Sequence, residues 1–114
     1  MTTLDRAKQI AALIDNKKGE EVRVLQIGTL TTIGDYFVVA TGNSTTQVKA
    51  LADEVEEKLS AEGLEPKRIE GYQSASWILL DYYDVIVHIF LKEAREFYAL
   101  ERLWSDAPEI DWTK

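Results

Sequence analysis

Trp77-Ile-Leu-Leu-Asp-Tyr-Tyr-Asp-Val-Ile-Val-His-Ile-Phe90 is the stretch on which the fold turns. Two strongly β-forming runs, Trp77 to Tyr82 and Asp84 to Leu91, are separated only by a tight turn around Tyr82 to Asp84, so they form an antiparallel hairpin. Side chains alternate along a strand, which places Trp77, Leu79 and Asp81 on one face and Ile78, Leu80 and Tyr82 on the other. Both faces carry large side chains, and the turn adds Tyr83. A strand in a small core needs only one such face. Spacing leaves two readings open: helices cover both faces and all of these residues are core, or the surplus Trp and Tyr beside carboxylates form an interface anchor.

Outward from the hairpin, Pro66 to Glu70 reads as a short polar strand at a sheet edge. Before it, Val48, Leu51, Ala52, Val55 and Leu59 make one apolar helical stripe, closed by Gly63 and opened by Ser44 and Gln47 at the spacing of a capping box. Tyr36 to Thr41 is a continuous β-rich run, expected to be buried on both faces. Thr29 to Gly34 reads as an irregular connection and Val22 to Ile27 as a strand. Leu4, Ala7, Ile10 or Ala11, and Ile14 mark a first helix, with Thr3 as its N-cap and Lys17-Lys18-Gly19 as its end, Gly19 in the left-handed conformation. Downstream, a helix runs from about Glu93 to Trp104, with Phe97, Leu100 and Trp104 on its buried stripe and Leu103 beside them. The order α-β-β-α-β-β-β-α predicts an α/β layered domain with a mixed five-stranded sheet. It spans residues 1–107, with 108–114 a loose tail.

The 114-residue chain is of a size for one core. A hydrophobic fraction of 46% fits a packed globule. No apolar run approaches the ~20 residues that cross a membrane, and the N-terminus lacks the pattern of a signal peptide. With no cysteine, disulfides and thiolate metal sites are excluded. These features place the chain in the cytoplasm. Thirteen Lys and Arg face twenty Asp and Glu, giving a net charge of −7. Direct nucleic-acid readout calls for a basic face. The excess of acid serves either solubility alone or the attraction of a basic partner.

The inventory for catalysis is poor. His88 is the only histidine and sits within a strand, where it reads as a hydrogen-bonded core residue, since zinc needs further ligands at fixed spacing. Gly42-Asn43-Ser44 opens a helix after a strand, a place that can hold phosphate, but it lacks P-loop spacing and the Ser44/Gln47 pair already uses those donors. Asp81 and Asp84 bracket the turn; Asp is common there without any metal, and no third carboxylate is near in sequence. No cofactor or metal site is expected.

Taken together, the chain resembles the ribosomal silencing factor family, the Iojap-like proteins. The resemblance runs from Leu4 to Ala107 through Asp35-Tyr-Phe-Val-Val-Ala-Thr-Gly42, Gln47-Val-Lys-Ala-Leu-Ala-Asp-Glu-Val-Glu-Glu-Lys-Leu59, Glu70-Gly71, the hairpin, and Glu93-Ala-Arg-Glu-Phe-Tyr-Ala-Leu-Glu-Arg-Leu-Trp104. Each piece is weakly specific; their order and spacing are highly so. Tyr83 departs from the small residue the family often has before the aspartate. The resemblance implies a nucleotidyltransferase-like α/β/α domain without the catalytic carboxylates, and no enzymatic activity. It implies binding to the large ribosomal subunit through ribosomal protein L-fourteen, which blocks joining of the small subunit and represses translation. It also implies a homodimer when free. The implied partner-binding residues are Trp77, Leu79, Asp81, Tyr83 and Asp84: the first two apolar anchors, the two aspartates meeting basic or hydroxyl groups. The rival readings are a nucleotide-binding or nucleotidyltransferase-like enzyme, suggested by the implied fold and the Gly42–Ser44 loop, and a dimeric scaffold for another partner.

Overall fold

The computed structural model describes residues 1–28, 34–98 and 105–113. The described elements are α1 (Thr3–Asn16), β1 (Glu20–Gln26), β2 (Tyr36–Gly42), α2 (Thr45–Ala61), β3 (Arg68–Glu70), β4 (Trp77–Tyr82), β5 (Val85–Leu91), α3 (Lys92–Tyr98) and β6 (Glu109–Ile110). Residues 29–33 of the expected connection lie outside the described residues, and so does the stripe assigned to Leu100, Leu103 and Trp104, with the side chain of Phe97.

α1 forms because Ala7, Ile10, Ala11 and Ile14 share one stripe, and all four are fully buried. Its N-cap is Thr2, one residue earlier than expected. The Asp5 amide donates to Thr2 Oγ1 at 3.1 Å and the Thr2 amide to Asp5 Oδ2 at 3.2 Å. Thr3 has Arg6, not an acid, three residues on, so it cannot close that box. At the other end the left-handed residue is Lys18, with φ 71°, rather than Gly19. Gly19 is needed for room instead: a Cβ there would stand 2.4 Å from Ile14 Cγ2. Ser44 caps α2 by accepting from the Gln47 amide at 3.1 Å. Val48, Leu51, Ala52, Val55 and Leu59 form its buried stripe.

The six described strands lie in the order β3-β4-β5-β2-β1-β6. β2 and β5 are parallel, and the other pairs are antiparallel. These two central strands are the continuous apolar runs of the sequence, and Phe37 to Gly42 and Val85 to Phe90 are buried throughout. α1 and α2 pack over the face that carries Val24, Val38, Ala40, Ile78, Leu80, Val87 and Ile89. α3 turns onto the opposite face, where Ala94 packs against the Leu25, Phe37 and Phe90 cluster. There the Arg95 guanidinium donates to Thr41 Oγ1 and to the Glu21 carbonyl, both at 2.7 Å. The mixed sheet between helices is the expected architecture, with six strands where five were expected. The sixth, Glu109–Ile110, comes from the stretch read as a tail and pairs with Val24 and Leu25 at the β1 edge. Trp112 Nε1 extends that seam by donating to the Val22 carbonyl at 3.0 Å.

Candidate functional site: the open face of the hairpin

The β4–β5 register pairs Tyr82 with Val85, Leu79 with His88 and Trp77 with Phe90. Continued across the sheet, it sets three rows on the face away from α1 and α2. The first runs Arg68, Asp81, Ile86, Phe37, Leu25; the second Glu70, Leu79, His88, Val39, Arg23; the third Trp77, Phe90, Thr41. Three of the five residues expected to bind a partner, Trp77, Leu79 and Asp81, thus share one strand face, and Tyr83 and Asp84 form the turn at its end.

Their environments differ. Trp77 and Leu79 are half-buried. The Trp77 ring lies against Phe90, with centroids 5.0 Å apart and planes 29° apart, and its Nε1 donates to His88 Nδ1 at 3.0 Å. Asp81 is only 6% exposed. Its Oδ1 accepts from the Tyr83 amide at 2.8 Å, and its Oδ2 stands 3.4 Å from Arg68 Nε. Both carboxylate oxygens therefore have partners within the chain. Tyr83 is 57% exposed, with Lys67 Nζ 6.0 Å from its ring centroid. Asp84 projects an exposed carboxylate while its carbonyl accepts from the Asp35 and Tyr36 amides at 2.8 and 3.1 Å. Those bonds tie the turn to the start of β2.

The base of β4 is shaped by Gly71. Its φ is 79°, and a Cβ there would lie 2.1 Å from the Trp77 carbonyl, so no other residue fits beside the start of the strand. His88 is the buried, hydrogen-bonded strand residue the sequence predicts, with Trp77 as its partner, and burial pushes its pKa down to about 4, so the ring is neutral near pH 7. A two-residue turn at Tyr83-Asp84 carries the signal for that partner, because it sets Leu79 opposite His88 and Trp77 on the diagonal.

The Gly42–Ser44 loop has little left for a phosphate. Ser44 Oγ holds the Gln47 amide, and Gln47 Oε1 holds the Asn43 amide at 2.6 Å. Among the described residues, no group of three His, Cys, Asp or Glu side chains is placed to hold a metal ion.

A family model described as ribosomal silencing factor during starvation matches residues 1–114. The chain belongs to the ribosomal silencing factor family. It is 44% identical over 98 residues to the ribosomal silencing factor of Halalkalibacterium halodurans, covering 86% of this chain and 84% of that one. It is 40% identical over 104 residues to that of Bacillus subtilis, covering 91% and 88%. A crystal structure of a Chromobacterium violaceum protein superposes with a TM-score of 0.89 at 36% identity, covering 92% of this chain and 88% of that one. Membership in the ribosomal silencing factors supports a ribosome-associated silencing role.

Proposed function

We propose that this protein binds the large ribosomal subunit through ribosomal protein L-fourteen, stops the small subunit from joining by occupying the shared surface, and so represses translation in the cytoplasm. Trp77 and Leu79 are the apolar anchors, Tyr83 and Asp84 the exposed rim, and Asp81 shapes the turn that presents them. The free protein pairs with a second copy as a homodimer. No catalysis is involved: occupancy suffices, and the chain needs no nucleophile, metal or cofactor.

The observation that carries this reading is the asymmetry of the sheet. Helices bury the centre of one face, where Val38, Ala40, Ile78, Leu80, Val87 and Ile89 are at most 1% exposed, while the other leaves a tryptophan and a leucine half-buried beside an exposed tyrosine and aspartate. Such a mixture of aromatic anchor and polar rim is the anatomy of a protein interface. The net charge of −7 favours encounter with a basic protein.

Co-sedimentation with isolated large subunits, with and without added small subunits, tests the proposal. The wild-type chain should pellet with large subunits and reduce the joined fraction. Trp77→Ala should lose about 2 kcal/mol of binding, roughly thirtyfold, as expected for an interface anchor, with its circular dichroism unchanged. A folded Trp77→Ala variant that still blocks joining would remove the contact surface on which the reading stands.

A further inference from the structure

Trp77 is held at two points on the sheet. Its indole N–H meets His88 Nδ1 at 3.0 Å, and its ring rests on Phe90 with centroids 5.0 Å apart. The imidazole is itself wedged edge-to-face against Phe37, at 4.6 Å between centroids and 75° between planes. His88 lies on central strand β5 and is 4% exposed, so its ring has no room to follow a moving indole.

The protonation state follows from the donor. An indole N–H only donates, so Nδ1 carries no proton and the neutral ring carries its proton on Nε2. Nε2 is buried and has no hydrogen-bond partner among the described residues. Packing alone does not call for this arrangement. A phenylalanine or leucine at this position would fill the row without stranding a donor, and buried donors without partners are destabilising. What the imidazole adds is a fixed acceptor beneath Trp77.

We propose that His88 is a positioning residue whose Nδ1 locks the orientation of Trp77, so that the indole is presented preformed on the docking face. This rests on the reading of that face as the ribosome contact. Preorganisation removes the cost of freezing a side chain during association, worth about three- to tenfold in affinity for one large side chain.

The test combines nuclear magnetic resonance of the full chain with co-sedimentation. In the wild type, the Trp77 indole proton should exchange slowly with water, and the His88 nitrogens should show the tautomer protonated at Nε2. His88→Phe keeps a ring but removes the acceptor; its indole proton should exchange fast, and its Kd for large subunits should rise about three- to tenfold. His88→Asn returns an acceptor at the place of Nδ1 and should recover most of the affinity. A wild-type ring protonated at Nδ1, or a folded His88→Phe that binds as wild type, would overturn the proposal. So would an Asn variant no better than the Phe variant at equal melting temperature, which would assign the loss to packing. If His88→Phe fails to fold, the wild-type tautomer and the Asn variant decide. Trp77→Ala separates the two levels. If it binds normally, the docking reading falls. If it loses binding while His88→Phe does not, positioning alone falls.

Discussion

The two faces of the sheet are made by alternate residues of the same strands, yet they have become different materials. Beneath α1 and α2 stand Val38, Ala40, Ile78, Leu80, Val87 and Ile89, none more than 1% exposed. On the other face stand Phe37, Val39 and Phe90, interleaved with polar groups. Thr41, Asp81, His88 and Arg95, the buried polar or charged residues among those described, all belong to that side. The first face gains stability in proportion to the aliphatic area it removes from water. The second must find partners for the polar atoms it hides, which costs stability but fixes geometry. It pairs Arg95 with Thr41, Asp81 with Arg68 and the Tyr83 amide, and His88 Nδ1 with Trp77, and leaves His88 Nε2 as a buried donor without a hydrogen bond among the described residues. A closed face holds the fold, and a partnered, half-open face can hold an anchor in place for something else.

The sharpest way to break this division is to cut equal side chains from each side. Leu51 on α2 is fully buried, and Leu51→Ala should cost about 3 kcal/mol in urea denaturation, as cavities of that size do. Leu79 is half-buried, and Leu79→Ala should cost about 1 kcal/mol while weakening large-subunit binding. Equal losses of stability would mean that the second face is as closed as the first.

Acid should weaken the second face before the first. The unfolded chain takes a proton on His88 as pH falls below 6.5, whereas burial makes the folded chain refuse it until about 4. Stability is therefore fully present above 6.5 and declines as pH drops toward 4. Between pH 7 and pH 5 the loss should be about 2 kcal/mol, read from urea midpoints. His88→Phe should flatten that slope. A wild-type protein equally stable at both values would show that the imidazole titrates normally and is not sealed.

Asp81 sharpens the comparison at the turn. Asp81→Ala strips the Tyr83 amide of its acceptor and Arg68 of one of its two carboxylate partners, and should cost about 1.5 kcal/mol. Asp81→Asn keeps the Oδ1 acceptor and should cost less than half as much. If the two variants melt alike, the charge facing Arg68, rather than the amide bond, is what counts.

Much of this was legible in the sequence, and the gaps have physical causes. The continuous run Tyr36 to Thr41 marks a strand buried on both faces, because a strand covered on both sides carries no polar alternation, while Asp84 to Leu91 reads only as one arm of the hairpin. Alternation within Trp77 to Tyr82 assigned each side chain its face but is silent on what lies over that face. The half-burial of Trp77 was therefore beyond it. The ion pair of Asp81 with Arg68 comes from a β3–β4 register that spacing does not give. The strand at Glu109–Ile110 was missed because two residues have no period to read; a tertiary seam with Val24, Leu25 and the Trp112 indole makes it. The first helix cap slipped by one residue because two adjacent threonines qualify, and only Asp5 distinguishes them.

The smallest expected effect concerns Tyr83, where the turn and the open face meet. Its φ is 70°, and the Asp84 amide donates to the Tyr82 carbonyl at 2.9 Å, which together describe the strained form of a γ-turn. A side chain in the left-handed region costs roughly 1–2 kcal/mol, which glycine avoids. Glycine also frees the unfolded chain, returning about 0.5–1 kcal/mol of that gain, and it forfeits the contact with Lys67, about 0.5 kcal/mol at an exposed site. Tyr83→Gly should thus change stability by between about −0.5 and +1 kcal/mol. Docking should move the other way, since an exposed ring is lost from the rim, while Tyr83→Phe should keep both properties. Stability and affinity changing in opposite directions at one residue would mark strain that serves display. A Tyr83→Gly variant less stable by more than about 1 kcal/mol would mean instead that the ring packs on the turn and belongs to the fold.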